Sequence, residues 1–227
     1  MVQVMRRRGR RRATERQQPL GAAAERYASM GWPLCVGVHP GRDTPGMAEA
    51  GRACSCDRVG CPAPGAHPAS PAWQMQATVD IAAIGEWWRA CPEASIILIT
   101  GRVFDVLDVP AAAGASALAR MRGAGLLTGP VAVLGSERMH FYVMTRGAPA
   151  DEDEWWSCGL DSSPDTFSQR GSLRWHCRDS YVLAPPSCYG AGLAASWIRP
   201  PADHPLPDAL RLLEFLADAC GEEARFP

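Results

Sequence analysis

From His39 to Pro71 the chain is loaded with glycine, proline, cysteine and aspartate, a stretch too long for an ordinary connection unless something organises it. Within it runs Cys54-Ser-Cys56-x4-Cys61-x5-His67, three thiols and an imidazole inside fourteen residues, with Pro62, Pro64 and Gly65 to turn the chain back on itself. A tetrahedral Zn²⁺ takes such a soft nitrogen and sulfur set, and four protein ligands close the coordination shell, which makes the site structural rather than catalytic. A loop this polar cannot fold on its own burial, so coordination supplies the missing free energy. The plain alternative is three free thiols and a solvent-facing histidine. The spacing favours Zn²⁺ held by Cys54, Cys56, Cys61 and His67, in a loop over residues 39–71 inserted into a larger domain.

The rest of the chain has the means to build that domain. With 227 residues and 47% hydrophobic content it can bury one substantial core. All 23 basic residues are arginine. A chain without lysine supplies neither a Walker A lysine nor a Schiff-base amine, which removes P-loop NTPases and pyridoxal enzymes from consideration. The net charge of -1 conceals a polarity: residues 1–16 carry seven arginines against Glu15, and the remainder is acidic. The Arg6–Arg12 run is followed by Glu15, Arg16, Glu25 and Arg26 rather than an apolar segment, so it is not read as a secretion signal. No stretch approaches the roughly 20 apolar residues that span a bilayer. Nine cysteines, three clustered and the others scattered singly, do not form a secreted disulfide framework. A soluble protein of the reducing cytoplasm is expected.

Periodicity places helices over Leu20–Met30, from Thr78 or Asp80 to about Cys91, from Pro110 to Arg122, and over Leu206–Cys220. A short helix carrying Trp155 and Trp156 is expected over Glu152–Cys158. Strands are expected at Pro33–Val38, Ser95–Thr100, Val103–Val109, Val131–Leu134, Met139–Thr145, Arg174–His176, Tyr181–Ala184 and Ala195–Arg199. The second and third are hinged at Gly101-Arg102, and the next two meet across Gly135-Ser136-Glu137-Arg138. Tight turns between strand pairs predict an α+β fold, a mostly antiparallel sheet with packed helices. The expected division is an arginine-rich disordered arm at 1–18, one domain at 19–220 and a tail at 221–227.

The order of these motifs resembles a known family. The loop ending Pro-Gly-Ala-His-Pro is followed by Glu86-Trp87-Trp88, Ile99-Thr100-Gly101, Val106-Leu107-Asp108-Val109, Met139-His140-Phe141-Tyr142 and Tyr181-Val182-Leu183-Ala184-Pro185-Pro186-Ser187. Over roughly residues 20–215 this is similar to the N-terminal domain of bifunctional DNA primase/polymerases, the prim-pol domain of the archaeo-eukaryotic primase superfamily. The resemblance implies a carboxylate pair at a strand end and a third carboxylate on a neighbouring strand, together holding two divalent metals, with a histidine on another strand touching the nucleotide's phosphates. Asp108 matches the first carboxylate and His140 the histidine. The second carboxylate position holds Pro110, which cannot ligate a metal. Asp105 precedes Asp108 by three, an odd offset that puts it on the opposite face of a strand. The third position falls within Leu173-Arg174-Trp175-His176, and Asp179 is out of place for it. Ser136-Glu137-Arg138 stands where the family approaches its histidine with glycines.

The resemblance therefore implies a prim-pol fold with an incomplete catalytic metal site: a nucleotide- or nucleic-acid-binding protein tied to DNA replication, its nucleotidyl transfer degenerate or lost. No helicase ATPase module follows in this sequence, so a replication role is expected to need a helicase or similar partner in trans. The alternatives are an active template-dependent primase/polymerase using Mg²⁺ or Mn²⁺ at Asp108, and a zinc-stapled protein-interaction module. Individual residues stay open at this level. Asp108 is a metal ligand or the cap of the helix at Ala111, and His140 a phosphate contact or a packed side chain. Arg174, His176 and Arg178 line a nucleotide pocket or a solvated strand face. The tryptophan pairs stack bases or divide between core and rim, and the arginine arm grips phosphates or is an unselected tail.

Overall fold

A computed structural model describes residues 19–41, 54–56, 58–145, 173–190 and 192–225. The arginine-rich arm at 1–18 and the helix expected around Trp155 and Trp156 lie outside the described residues. Helix α1 (Leu20–Ser29) is closed by Gly31, whose φ of 76° a side chain would resist. It leads into strand β1 (Leu34–Val36). A single-turn helix α2 (Trp73–Gln76) precedes α3 (Ile81–Ala90), whose first turn is capped by Asp80 accepting from the amides of Ala82 and Ala83. Ile84 and Trp88 of α3 are buried, and the Trp88 indole donates to the Ala94 carbonyl at 2.9 Å. Ile81, expected on the same apolar face, is half exposed at the start of the helix.

Strand β2 (Ile96–Ile99) is wholly buried, as is β3 (Phe104–Pro110), which runs directly into α4 (Ala111–Gly123). Strands β4 (Val131–Leu134) and β5 (Arg138–Met144) form the expected hairpin. Strands β6 (Arg174–His176), β7 (Tyr181–Leu183), β8 (Cys188–Tyr189) and β9 (Leu193–Arg199) follow, and α5 (Ala209–Arg225) completes the described chain. Among the described residues every pairing is antiparallel, in two sheets: three strands in the order β1-β2-β7, and six in the order β6-β3-β5-β4-β9-β8. The α+β class is as expected. Among the described residues no helix is long and apolar enough to cross a membrane.

Two local expectations change. The strands flanking Gly101-Arg102 do not pair: β2 joins the small sheet and β3 the large one. Gly101 turns this corner at φ 77°, packed so closely on the Arg178 backbone that a Cβ would land on Arg178 Cα. Thr100 fastens the same corner, its Oγ1 donating to the Cys177 carbonyl at 2.6 Å and its amide to the Ser180 carbonyl at 3.1 Å. The last helix also continues to Arg225, beyond the expected end at Cys220. Its final turns lie along α4, where Arg120 meets Glu222 at 3.2 Å.

Alternation along β3 divides the large sheet into two faces. Leu107 and Val109, with Phe141, Val143 and Trp175 from the neighbouring strands, pack beneath α4 and α5. Phe104 and Val106, with Tyr142 and Ala132, pack against Trp32, Ile96 and Leu98. Asp108 continues this second face past the point where the apolar cover stops, and a cavity opens there.

Candidate nucleotide pocket and metal loop

Strand register assembles the pocket floor. Asp108 of β3 lies opposite His140 of β5 on one side and Arg174 of β6 on the other. His176, two residues beyond Arg174, shares its face. Arg138, two residues before His140, begins β5 opposite Pro110; expected as a turn residue, it is instead part of the strand.

All of these side chains converge on one carboxylate. Arg138 Nε donates to Asp108 Oδ1 at 2.7 Å, and its Nη2 donates to the Asp108 carbonyl at 3.1 Å. His140 Nε2 stands 3.6 Å from Oδ1, His176 Nε2 stands 3.5 Å from Oδ2, and Arg174 Nη1 reaches within 3.9 Å of Oδ2. The other ring nitrogen of His176 shares a hydrogen bond with Ser180 Oγ at 3.0 Å, which fixes the imidazole's orientation. His140 Nδ1 is buried without a hydrogen-bond partner.

The electrostatics follow from burial and from these neighbours. Burial alone would raise the Asp108 carboxyl, but His140, His176 and Arg138 together hold it far below the usual carboxylate range. Burial lowers His140 to about 4 against the pull of Asp108, with His176, Arg138 and Arg174 lowering it further. His140 is therefore neutral at pH 7, and the Arg138 guanidinium stays in contact with the Asp108 carboxylate there. Burial also presses the Arg174 guanidinium below its ordinary value, an effect Asp108 opposes.

Above this floor lies a cavity of about 710 Å³. The metal loop builds one of its walls, with Pro62, Ala63, Pro64 and Ala66, and Tyr189 and Leu193 continue the apolar lining. Glu137 stands at the exposed β4–β5 turn, and Glu223 reaches the lining from α5. The loop is docked onto the sheet: the Gly190 amide donates to the Pro64 carbonyl at 2.7 Å, and the Val38 amide to the His67 carbonyl at 3.0 Å. Gly65, at φ 79°, packs so tightly on Pro40 and the Cys188 carbonyl that no side chain fits.

The four expected zinc ligands do come together. The sulfurs of Cys54, Cys56 and Cys61 and a ring nitrogen of His67 all lie within 4.8 Å of one another, a set that could hold a metal such as zinc. Cys54 Sγ and Cys61 Sγ are 3.6 Å and 3.4 Å from His67 Nε2. His67 Nδ1 lies 2.8 Å from the Pro68 carbonyl, which fixes the tautomer that turns Nε2 toward the sulfurs, as metal-ligating histidines require. Against a burial penalty that would raise it, the Arg58 amide with Cys54, His67 and Cys61 draws the Cys56 thiol down to about 7, toward the thiolate a metal takes. This donor set fits Zn²⁺. Among the described residues no other group of three or more histidine, cysteine or carboxylate ligands converges in this way.

Of the other expected site residues, Asp108, His140, Arg174 and His176 share the cavity. Arg178 does not join them: it sits in the turn after β6 with its side chain 62% exposed, 3.6 Å from Asp179. Asp105 lies on the far face, as its offset required, where Trp175 Nε1 donates to it at 3.2 Å. Among the lining or supporting residues not picked out from the sequence are Arg138, Ser180 and Glu223. Arg138 carried a usable signal, since spacing of two from His140 places both on one strand face. Ser180 and Glu223 arrive from a turn and from the distal end of a helix, with no local pattern to mark them.

The sequence profile of the bifunctional DNA primase/polymerase N-terminal domain matches residues 24–209, and the chain belongs to that family. No curated protein matches it.

Proposed function

We propose that this domain binds nucleotides or nucleic acid in the service of DNA replication and has lost nucleotidyl transfer. The observation that carries this reading is the state of Asp108. Nucleotidyl transfer in the family relies on divalent ions, about 4 Å apart in two-metal sites, which need several converging carboxylates. Here Pro110 fills the second ligand position and serves as the residue preceding α4. Arg174 lies across from Asp108 on the strand where the third carboxylate is expected. The Arg138 guanidinium meanwhile occupies the remaining carboxylate at 2.7 Å. This donor set does not fit a pair of divalent cations, and no catalytic step is derived through them.

The binding function rests on family membership and on the cationic side chains at the cavity floor. In this reading Arg174, His140 and His176 face the ligand, and Zn²⁺ at Cys54, Cys56, Cys61 and His67 has a structural role. A helicase or another replication protein acting in trans is the partner this reading expects. Primer extension and de novo synthesis assays of the purified chain with Mn²⁺ test the proposal. No product above a heat-denatured control is expected, while single-stranded DNA or nucleotide binding persists. Template-dependent incorporation that disappears in Asp108→Ala would refute it.

A further inference from the structure

The residues that exclude a pair of divalent ions also supply a substitute for them. We infer that the cavity takes the phosphates of a nucleotide directly on guanidinium groups, without the metal ions that the family's chemistry implies. This rests on the reading above that the pocket holds a nucleotide, and it adds how the ligand is held.

Charge and shape both point to it. Arg138 and Arg174 bring positive charge to the floor, and guanidinium groups meet phosphate oxygens in paired hydrogen bonds that need no bridging metal. Arg174 approaches Asp108 only to 3.9 Å, longer than a hydrogen bond, so its contact with the carboxylate is one of charge. His140, only 4% exposed, lines the same cavity, and its Nδ1 has no hydrogen-bond partner. Pro62, Ala63 and Pro64 of the metal loop and Tyr189 line the same cavity and give it apolar surface suited to a base. A cavity of about 710 Å³ lined by both cationic and apolar side chains suits a small ligand that carries charge and an apolar ring together.

Among the described residues the remaining charged groups lining the cavity are Asp108, Glu137 and Glu223. Asp108 is engaged by Arg138, and Glu137 is exposed, so solvent screens it. Glu223 is the informative one, because its Oε2 is buried without a hydrogen-bond partner. A carboxylate there repels a bound phosphate and attracts a bound cation, so its removal has opposite consequences for the two kinds of site.

The test is calorimetric titration of the full chain with dATP, ATP and tripolyphosphate, in buffer freed of Mg²⁺ and Mn²⁺ over chelating resin, with the protein's zinc content verified. Saturable dATP or ATP binding is expected without divalent cations and is not strengthened by adding Mg²⁺. Arg174→Gln weakens it by about tenfold or more, the scale of one charged hydrogen bond, and Glu223→Gln strengthens it. Tripolyphosphate binds more weakly than dATP because it lacks a base for the apolar wall. Binding that requires Mg²⁺ or Mn²⁺ and weakens in Glu223→Gln would overturn this inference while leaving the nucleotide reading intact. Equal affinity for tripolyphosphate and dATP would overturn the assignment of the ligand as a nucleotide. Absence of binding by all three, with or without cations, would sink the nucleotide pocket itself.

Discussion

Asp108→Asn keeps the shape of the side chain and removes its charge, leaving Arg138 and Arg174 facing each other without a carboxylate between them. The three side chains are 5%, 13% and 6% exposed, in the order Asp108, Arg138, Arg174. Breaking a buried pair by deleting one partner costs about 3–5 kcal/mol. Arg138 is the most exposed of the three, so the cost here is roughly 2–4 kcal/mol, against a total stability of about 5–15 kcal/mol for a domain. For a chain of this length that corresponds to a fall in Tm of roughly 5–15 °C. Urea unfolding of the wild type, Asp108→Asn, Arg138→Gln and the double variant measures the pairing directly, and a coupling of about 1–3 kcal/mol between the two sites is expected. Acid supplies a check on sign. The folded carboxyl is held below its ordinary value, so its contribution is complete above about pH 4 and is lost as the pH falls further. The gap between wild type and Asp108→Asn should therefore narrow only in acid. A carboxylate kept available for cations would behave in the opposite way, and an unchanged or raised Tm in Asp108→Asn would refute the pairing.

Stability should also fall between about pH 6.5 and 4, where the unfolded chain protonates His140 and the folded chain, with that group at about 4, does not. The shift is worth about 3 kcal/mol, and urea midpoints across this range should flatten in His140→Asn. Metal analysis of the purified chain should find one zinc per molecule. Cys61→Ser should lose it, lower the Tm and reduce nucleotide affinity, because the same loop walls the cavity; a zinc-free variant with unchanged Tm would remove the metal from the account. Gly101→Ala should cost about 3 kcal/mol or more, or yield no folded protein, since the left-handed corner rests on backbone that cannot yield.

The long amphipathic and β-branched segments were legible because each carries its own period: α1, α3, α4, the β4–β5 hairpin and most of the strands stand close to where periodicity puts them. The cysteine loop was legible for a different reason, since its four ligands lie close enough in sequence that spacing alone brings them near one another. Strand pairing across Gly101 was not, because a glycine at a hinge serves a hairpin and a sheet-crossing corner equally well. What decides between them is the 177–180 segment, more than seventy residues later, which captures Thr100. The two-residue β8 and the single-turn α2 are too short to show a period at all.

The pocket shows why individual positions mislead where a register does not. Taken singly, Pro110 is a helix start, Arg138 a turn residue and Arg174 a strand residue of ordinary kind. Once β3 is laid between β5 and β6, Pro110 falls opposite Arg138, and Asp108 falls opposite both His140 and Arg174. The three departures from the family's pattern then become one change of charge at one place. Losing the second carboxylate would lose the cations that a pair holds and so leave a buried Asp108 short of compensation, and adding a guanidinium alone would bury an unmatched cation. The changes are tolerable together, because each arginine answers the carboxylate that remains, and with Pro110 in place Asp108 is the only carboxylate that β3 itself offers at this end among the described residues. The same reciprocity makes the cluster hard to convert back. Restoring a carboxylate at position 110 without removing Arg138 would give the new side chain an ion pair rather than a metal, so recovery of metal binding at this strand end should require both positions to change.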